Sequence, residues 1–210
     1  MRRICAFDIG VVNMAACVID FASWSGESSP CPLATCQGLL KSSSVVHWSV
    51  QDIREGSKQA VRALSTSQVI EMTLAYIKRH AQTLSECDAI VIEQQPAAKM
   101  RHASIAVYCS VRSAVGDKTP IVFQPAYRKL DWGEGLRNFL PCANASTKAR
   151  RKVTATRLAG ALLRACGESK ARELATFGAH KKKDDLADCF LHALAFAVRS
   201  RGREAVALKP

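Results

Sequence analysis

The sequence predicts an α/β fold, a mixed five-stranded sheet covered on its faces by helices. Three observations carry that expectation. Short, continuous apolar runs and helical periodicities follow one another as three strands, a helix, a strand, a helix, a strand and further helices. The first two apolar runs are joined by the short Gly10–Asn13 connection, which suggests an antiparallel pair. A chain of 210 residues with 48% hydrophobic composition is long enough for one sizeable core, and no break in composition marks a second. One domain over residues 1–200 and a tail over 201–210 are expected.

Ile4 to Ile9 reads as a buried strand whose end carries Asp8, with Gly10 after it. Met14 to Phe21 and Val45 to Val50 are the second and third strands. Residues 22–44 between them are rich in Ser, Pro and Gly without periodicity, which predicts a long surface loop in reach of a ligand. Beyond Gly56, Ile70, Leu74, Ile77, Ala81 and Leu84 recur at four- and three-residue steps and predict an amphipathic helix. Asp88 to Glu93 is a fourth strand, short and apolar enough to be central and buried on both faces, and it too ends on a carboxylate. Ala97 to Val115 has helical composition, with Met100, Ile105, Tyr108 and Val111 as its apolar points. Ile121 to Phe123 is the fifth strand, and Pro125 to Ala145 reads as irregular. A helix from Lys148 to Cys166 buries Leu158, Leu162 and Leu163, and Gly167 stops it. A short helical piece follows. His180 to Lys183 then leads into a last helix, from about Asp184 to Arg199.

At about 100° per residue, that last helix places Asp185, Asp188 and His192 in one sector. Leu186, Phe190, Leu194 and Ala197 fall opposite, so the apolar face seats the helix while the acidic face looks outward. Capping and the helix dipole account for Asp184, but not for Asp188, which lies past the first turn.

The formal net charge is +12, spread along the whole chain, and such an excess on a compact domain points to a polyanionic partner. Lys148, Arg150, Arg151 and Lys152 open one helix, and Lys182 and Lys183 precede the acidic one, where they either touch a phosphate or form a solvated linker. Nine cysteines occur without CxxC pairs, and Cys5, Cys17, Cys87, Cys109, Cys166 and Cys189 stand in apolar surroundings. Cys31 and Cys36 share the predicted loop with no metal-ligand partner nearby. Neither a disulfide framework nor a zinc module is indicated, and a reducing compartment follows. No apolar run spans a membrane, and the first strand starts too early to leave room for a signal or transit peptide. A cytoplasmic protein is expected.

Asp8 and Glu93 each end a hydrophobic strand. If those strands are neighbours, the carboxylates lie about 5 Å apart at one sheet edge. The last helix could bring Asp185 and Asp188 to the same place. Clustered carboxylates repel unless cations sit between them, and oxygen ligands suit Mg²⁺, with Mn²⁺ able to substitute. Two such ions about 3.5–4 Å apart serve phosphodiester hydrolysis, and a basic surround holds the nucleic-acid backbone.

The stretches Ala6-Phe7-Asp8-Ile9-Gly10, Ile92-Glu93-Gln94-Gln95 and Lys182-Lys183-Asp184-Asp185-Leu186-Ala187-Asp188 resemble, in this order, the signatures of RuvC-type Holliday junction resolvases. The poxvirus and yeast-mitochondrial branch is the nearest pattern, and Asn13 matches its Asn, although Asn is also a routine turn residue. The resemblance implies an RNase H-like fold and a homodimer that makes paired nicks in four-way and branched DNA junctions. It implies that Asp8, Glu93, Asp185 and Asp188 are catalytic and bind the metal. It does not extend to residues 22–44 or 125–145. The mitochondrial relatives carry extra N-terminal sequence that this chain lacks, which favours the viral branch and, for a viral protein, the host-cell cytoplasm.

Gln94 and Gln95 either line the site or end a strand, and His192 is left outside the catalytic set as a packed or hydrogen-bonded residue. Two other functions compete. Asp8-Ile9-Gly10 also resembles the phosphate loop of sugar-kinase and actin-type phosphotransferases, but those need a second lobe and a Gly-rich adenosine site. A non-catalytic nucleic-acid-binding protein would keep the basic surface and have no use for the four acids.

Overall fold

β1 (Arg2–Ile9) is the middle strand of a five-stranded sheet ordered β3-β2-β1-β4-β5 in the computed structural model, which describes residues 2–22, 32–54, 60–95, 98–130 and 148–207. Side chains at 32–33, 98–99, 148, 150 and 201–207 are not among those described. β2 (Asn13–Phe21) pairs antiparallel with β1 and with β3 (Ser43–Asp52), while β4 (Ala89–Gln94) pairs parallel with β1 and with β5 (Ile121–Pro125). The sheet is therefore mixed, as expected. The turn from β1 to β2 closes with Gly10 N–H donating to Asn13 O at 2.9 Å, and a Cβ on Gly10 would meet that oxygen at 2.8 Å. Gly10 is required by this close approach.

Alternation along the central strands divides the interior in two. Cys5, Phe7, Ile9, Ile90 and Ile92 face one way, onto α2 (Thr66–Arg79), α3 (Ala81–Ser85) and α4 (Ala98–Val115). Ile4, Ala6, Ala89 and Val91 face the other, onto α5 (Lys148–Ala165) and α7 (Lys183–Ala207), with α6 (Ala171–Ala179) leading into α7. Asp8 continues the second set and so does Glu93. The register Phe7↔Ile92 makes the two acids the next step along adjacent parallel strands. Both thus leave the sheet at one edge and on the face that α7 covers.

α7 is seated by more than its apolar stripe. Leu186, Phe190 and Leu194 are fully buried, each contributing roughly 1.5–3 kcal/mol by burial. Trp48 of β3 stacks on Phe177 at 5.5 Å, packs on Phe190 at 5.1 Å and donates its indole N–H to Leu186 O at 3.0 Å. That bond holds the start of α7, between Asp185 and Asp188, against the sheet.

Four expectations are corrected. The span 22–44 is not a surface loop throughout. Residues 23–31 lie outside the described residues, but Pro32–Lys41 form α1, whose Cys36, Leu39 and Leu40 are fully buried at helical spacing. The helix after Gly56 buries Val69, Thr73, Tyr76 and Ile77 instead of a stripe through Leu74, which is 42% exposed. A break at His80 resets the phase before α3, so one stripe cannot run from Ile70 to Leu84. Cys109 is exposed, unlike the buried Cys5, Cys17, Cys87, Cys166 and Cys189. α7 runs on to Ala207, well past the expected end at Arg199 and through most of the expected tail. Among the described residues, no helix is long and apolar enough to cross a membrane.

Candidate metal centre

Three of the four predicted acids meet. Asp8 from β1, Glu93 from β4 and Asp188 from α7 each offer an oxygen, and those atoms all lie within 4.8 Å of one another. Glu93 and Asp188 are buried at 5% and 8% exposure, and Asp8 is partly exposed. The acidic sector of α7 therefore looks into the space over the sheet edge, where Asp188 meets Asp8 and Glu93 as the packing of that helix was expected to allow. The same sector carries His192, which is fully buried. Asp185 is close by but outside the group of three; its Oδ1 lies 3.9 Å from Lys152 Nζ. Asp184 pairs with the same lysine.

The arrangement contains a cation that sequence reasoning missed. Lys129 stands on a short 3₁₀ turn, Ala126–Leu130, that follows β5 within the span expected to be irregular. Its Nζ lies 2.7 Å from Asp188 Oδ2 and 3.2 Å from Glu93 Oε1, with the side chain almost wholly buried. One signal could have found it. β5 is a third strand ending at the same sheet edge, so residues just after it fall where Asp8 and Glu93 fall. Gln95 is also part of the cluster, its Nε2 at 3.3 Å from Asp8 Oδ1 and 3.4 Å from Glu93 Oε2, while Gln94 ends β4 exposed to solvent.

These surroundings set the charge states. Burial, then the neighbouring Glu93 carboxylate, push Asp8 well above the usual carboxylate range. Burial raises Asp188 to about 6 against the pull of Lys129, and raises Asp185 as well, with Asp184 adding to it. Glu93 is the exception. Burial works against its anion, but His192, Asp8 and Lys129 together outweigh it and hold Glu93 below the usual range. Burial opposes the charge on Lys129, which Asp188, Glu93 and Asp8 more than restore. The cluster is a set of acids held at close quarters by one ammonium and one amide. Asp188 Oδ1, also buried, has no hydrogen-bond partner among the described residues.

No family model matches the chain, and no curated protein matches it in sequence. Its structure is similar to that of the yeast mitochondrial Holliday junction resolvase, with a TM-score of 0.61 at 14% identity over 97% of this chain and 84% of that one. It is similar to the fowlpox virus resolvase solved with its substrate Holliday junction DNA, at 0.55 and 14% over 95% and 98%. It is similar to Thermus thermophilus RuvC, at 0.52 and 14% over 95% and 96%. The chain has the RuvC-type resolvase fold. The expected RNase H-like architecture, a five-stranded mixed sheet between helical layers, is the observed one.

Of the predicted basic residues of the resolvase-fold chain, Arg151 and Lys182 are exposed and Lys183 is half-buried. Lys152 is bound to Asp184 beside the acidic cluster. The side chains of Lys148 and Arg150 lie outside the described residues.

Proposed function

We propose that this chain is a structure-selective endonuclease that resolves four-way DNA junctions, acting as a homodimer with Mg²⁺, or Mn²⁺ in its place, at the acidic cluster. The observation that carries the reading is the meeting of Asp8, Glu93 and Asp188 from three separate elements, in a fold shared with junction resolvases. A cluster whose donors are all carboxylate oxygens, one of them a buried oxygen without a partner among the described residues, suits a hard divalent cation. Asp8, Glu93 and Asp188 would hold it, with Asp185 at the margin. Divalent cations bound there would activate water and neutralise charge on the reacting phosphate.

The chain's own groups prepare that centre. Lys129 neutralises the cluster and lets the acids come together in the fold. Gln95 holds Asp8 and Glu93 at a fixed spacing, and Lys152 restrains Asp184 at the margin. Arg151, Lys182 and Lys183 flank the acids with positive charge that DNA phosphates would meet. Incubation with a synthetic four-way junction and with a duplex of the same sequence tests the reading. Cleavage of the junction alone, in Mg²⁺ and not in EDTA, is the expected outcome. A protein that binds both DNAs and cuts neither would be the non-catalytic binder instead.

Lys148, Arg150, Arg151 and Lys152 are proposed to bind phosphates. Arg151 should matter more than Lys152, whose charge Asp184 already engages. Replacing Lys148 and Arg151 by Ala should weaken binding to any DNA. It should also flatten the salt dependence by up to roughly 0.9 log unit for each phosphate that is no longer neutralised. An unchanged slope in fluorescence-anisotropy titrations would make the cluster a solvated face.

A symmetric junction needs two opposed nicks, and a two-fold dimer supplies two centres in the matching symmetry. The proposed dimer interface is the outer face of α4. Ile105 there is 56% exposed, and Tyr108 stacks on the 41%-exposed Phe123 at 5.7 Å with Arg112 over its ring. Ile105 and Phe123 also line a groove of about 550 Å³. Val111, another of the apolar points expected on this helix, is fully buried in the core and is not available to a partner. Ile105→Asp should give a folded monomer by sedimentation that nicks junctions one strand at a time. A dimer that keeps its paired nicks would place the interface elsewhere.

A further inference from the structure

His192 lies one turn beyond Asp188 on α7, fully buried, and the proposed cleavage reaction gives it no task. Its neighbours fix how its ring is protonated. Arg199 donates through Nη2 to Gln124 Oε1, and through Nη1 to Arg128 O at 3.3 Å. A guanidinium can only donate, so the carbonyl oxygen of the Gln124 amide faces Arg199 and its nitrogen faces His192. Gln124 Nε2 stands 2.5 Å from His192 Nδ1, and Gln124 is itself buried at 3% exposure. An amide NH₂ also only donates, so Nδ1 accepts and the ring proton resides on Nε2. That Nε2 is buried, has no hydrogen-bond partner among the described residues, and lies 3.8 Å from Glu93 Oε1.

A buried N–H without a partner is costly, and a shift of under about 1 Å would bring this pair to the roughly 3 Å of an ordinary hydrogen bond. Glu93 already receives Lys129 on Oε1 and Gln95 on Oε2, so His192 is the third donor around one carboxylate. We infer that His192 is the positioning residue of Glu93: its Nε2–H, fixed in that tautomer by the Arg199–Gln124 pair, holds the carboxylate turned toward Asp8 and Asp188. The tautomer stands on the hydrogen-bond chain alone. Its consequence for metal affinity rests on the metal-centre reading proposed above. Outer partners that orient a liganding group typically change metal affinity by about 10–100-fold when removed.

The test has two parts. In the wild-type protein, labelled with ¹⁵N in its imidazole rings, two-bond proton–nitrogen spectra identify the tautomer of His192 without any substitution. The Nε2–H form is expected, and the Nδ1–H form would overturn the inference. In the second part, Mn²⁺ alone is titrated into wild type, His192→Leu and His192→Gln without DNA and followed by electron paramagnetic resonance. Leu keeps the bulk but has no donor, and should weaken Mn²⁺ binding by about 10–100-fold. Gln can place an amide N–H near the original Nε2 and should recover most of the loss. A folded His192→Leu that binds Mn²⁺ like wild type would overturn the inference. If wild type binds no Mn²⁺ and cuts no junction, the metal-centre reading fails, and the imidazole spectrum alone then supports or overturns the hydrogen-bond chain.

Discussion

Asp8→Asn is expected to lower junction cleavage by roughly 10³-fold or more, about 4 kcal/mol of barrier, while junction binding stays intact or improves. Binding holds because the substitution removes a negative charge from a surface proposed to face DNA. Asp188→Asn should do the same to cleavage. A second readout separates loss of chemistry from loss of fold. Burial and the charge of Glu93 raise Asp8 well above its ordinary value of 3.8, so between the two values the folded protein holds a proton that the unfolded chain does not. The associated stability is fully present below about 3.8 and is lost as pH rises through the folded-state value. Without metal, the substituted protein should therefore unfold at a higher temperature than wild type at about pH 8, with the gap narrowing toward about pH 4. Mutant and wild type nicking equally in Mg²⁺ would remove Asp8 from the site.

The second large effect concerns Lys129. Its ammonium is the buried partner of both Glu93 and Asp188. Lys129→Met keeps most of the stem and leaves the acids without a countercharge, which typically destabilises a buried cluster by about 3–5 kcal/mol. That loss should appear at about pH 8 in EDTA and shrink at about pH 5, where Asp188, with its value of about 6, takes up a proton instead. Mn²⁺ should restore part of the stability, since a cation binding only the folded form stabilises it. Denaturant unfolding in EDTA and in Mn²⁺ measures both effects. Equal stability of mutant and wild type in EDTA would mean that Lys129 does not hold the acids together.

The sheet was legible because its strands are short apolar runs with abrupt ends, and Asp8 and Glu93 mark two of those ends. Asp188 was legible through its three-residue spacing from Asp185, and a helix packed at the sheet edge was expected to bring it to Asp8 and Glu93, although the depth of its burial, at 8% exposure, was not legible. The helix pattern shows which residues share a sector, not which sector meets the rest of the protein. Lys129 was hidden because a lysine in a stretch carrying Trp132, two glycines and Pro141 looks solvated, and only the three-dimensional end of β5 brings it inward. α1 was hidden by its flanks, since Ser, Pro and Gly before it and three serines after it mask the Cys36, Leu39 and Leu40 spacing. In α2, Leu74 and Ile70 suggested a face that Val69, Thr73 and Tyr76 take instead, because Thr73, in the middle of that face, carries a hydroxyl and does not register as an apolar point. Thr73 sits in the core by donating its hydroxyl to Val69 O at 2.7 Å. The Arg199–Gln124–His192 chain joins residues from β5 and α7 and left no local sign.

The proposed function requires a carboxylate cluster built on β1, β4 and α7 to cut both strands of a four-way junction. A supercoiled plasmid carrying an extruded cruciform tests it most directly. With purified protein and Mg²⁺, the expected result is conversion to linear product in one encounter, none of it in EDTA or with Asp8→Asn, and no cutting of the same plasmid once relaxed. Intact plasmid in both Mg²⁺ and Mn²⁺, or equal cutting of the cruciform and relaxed forms, would contradict it.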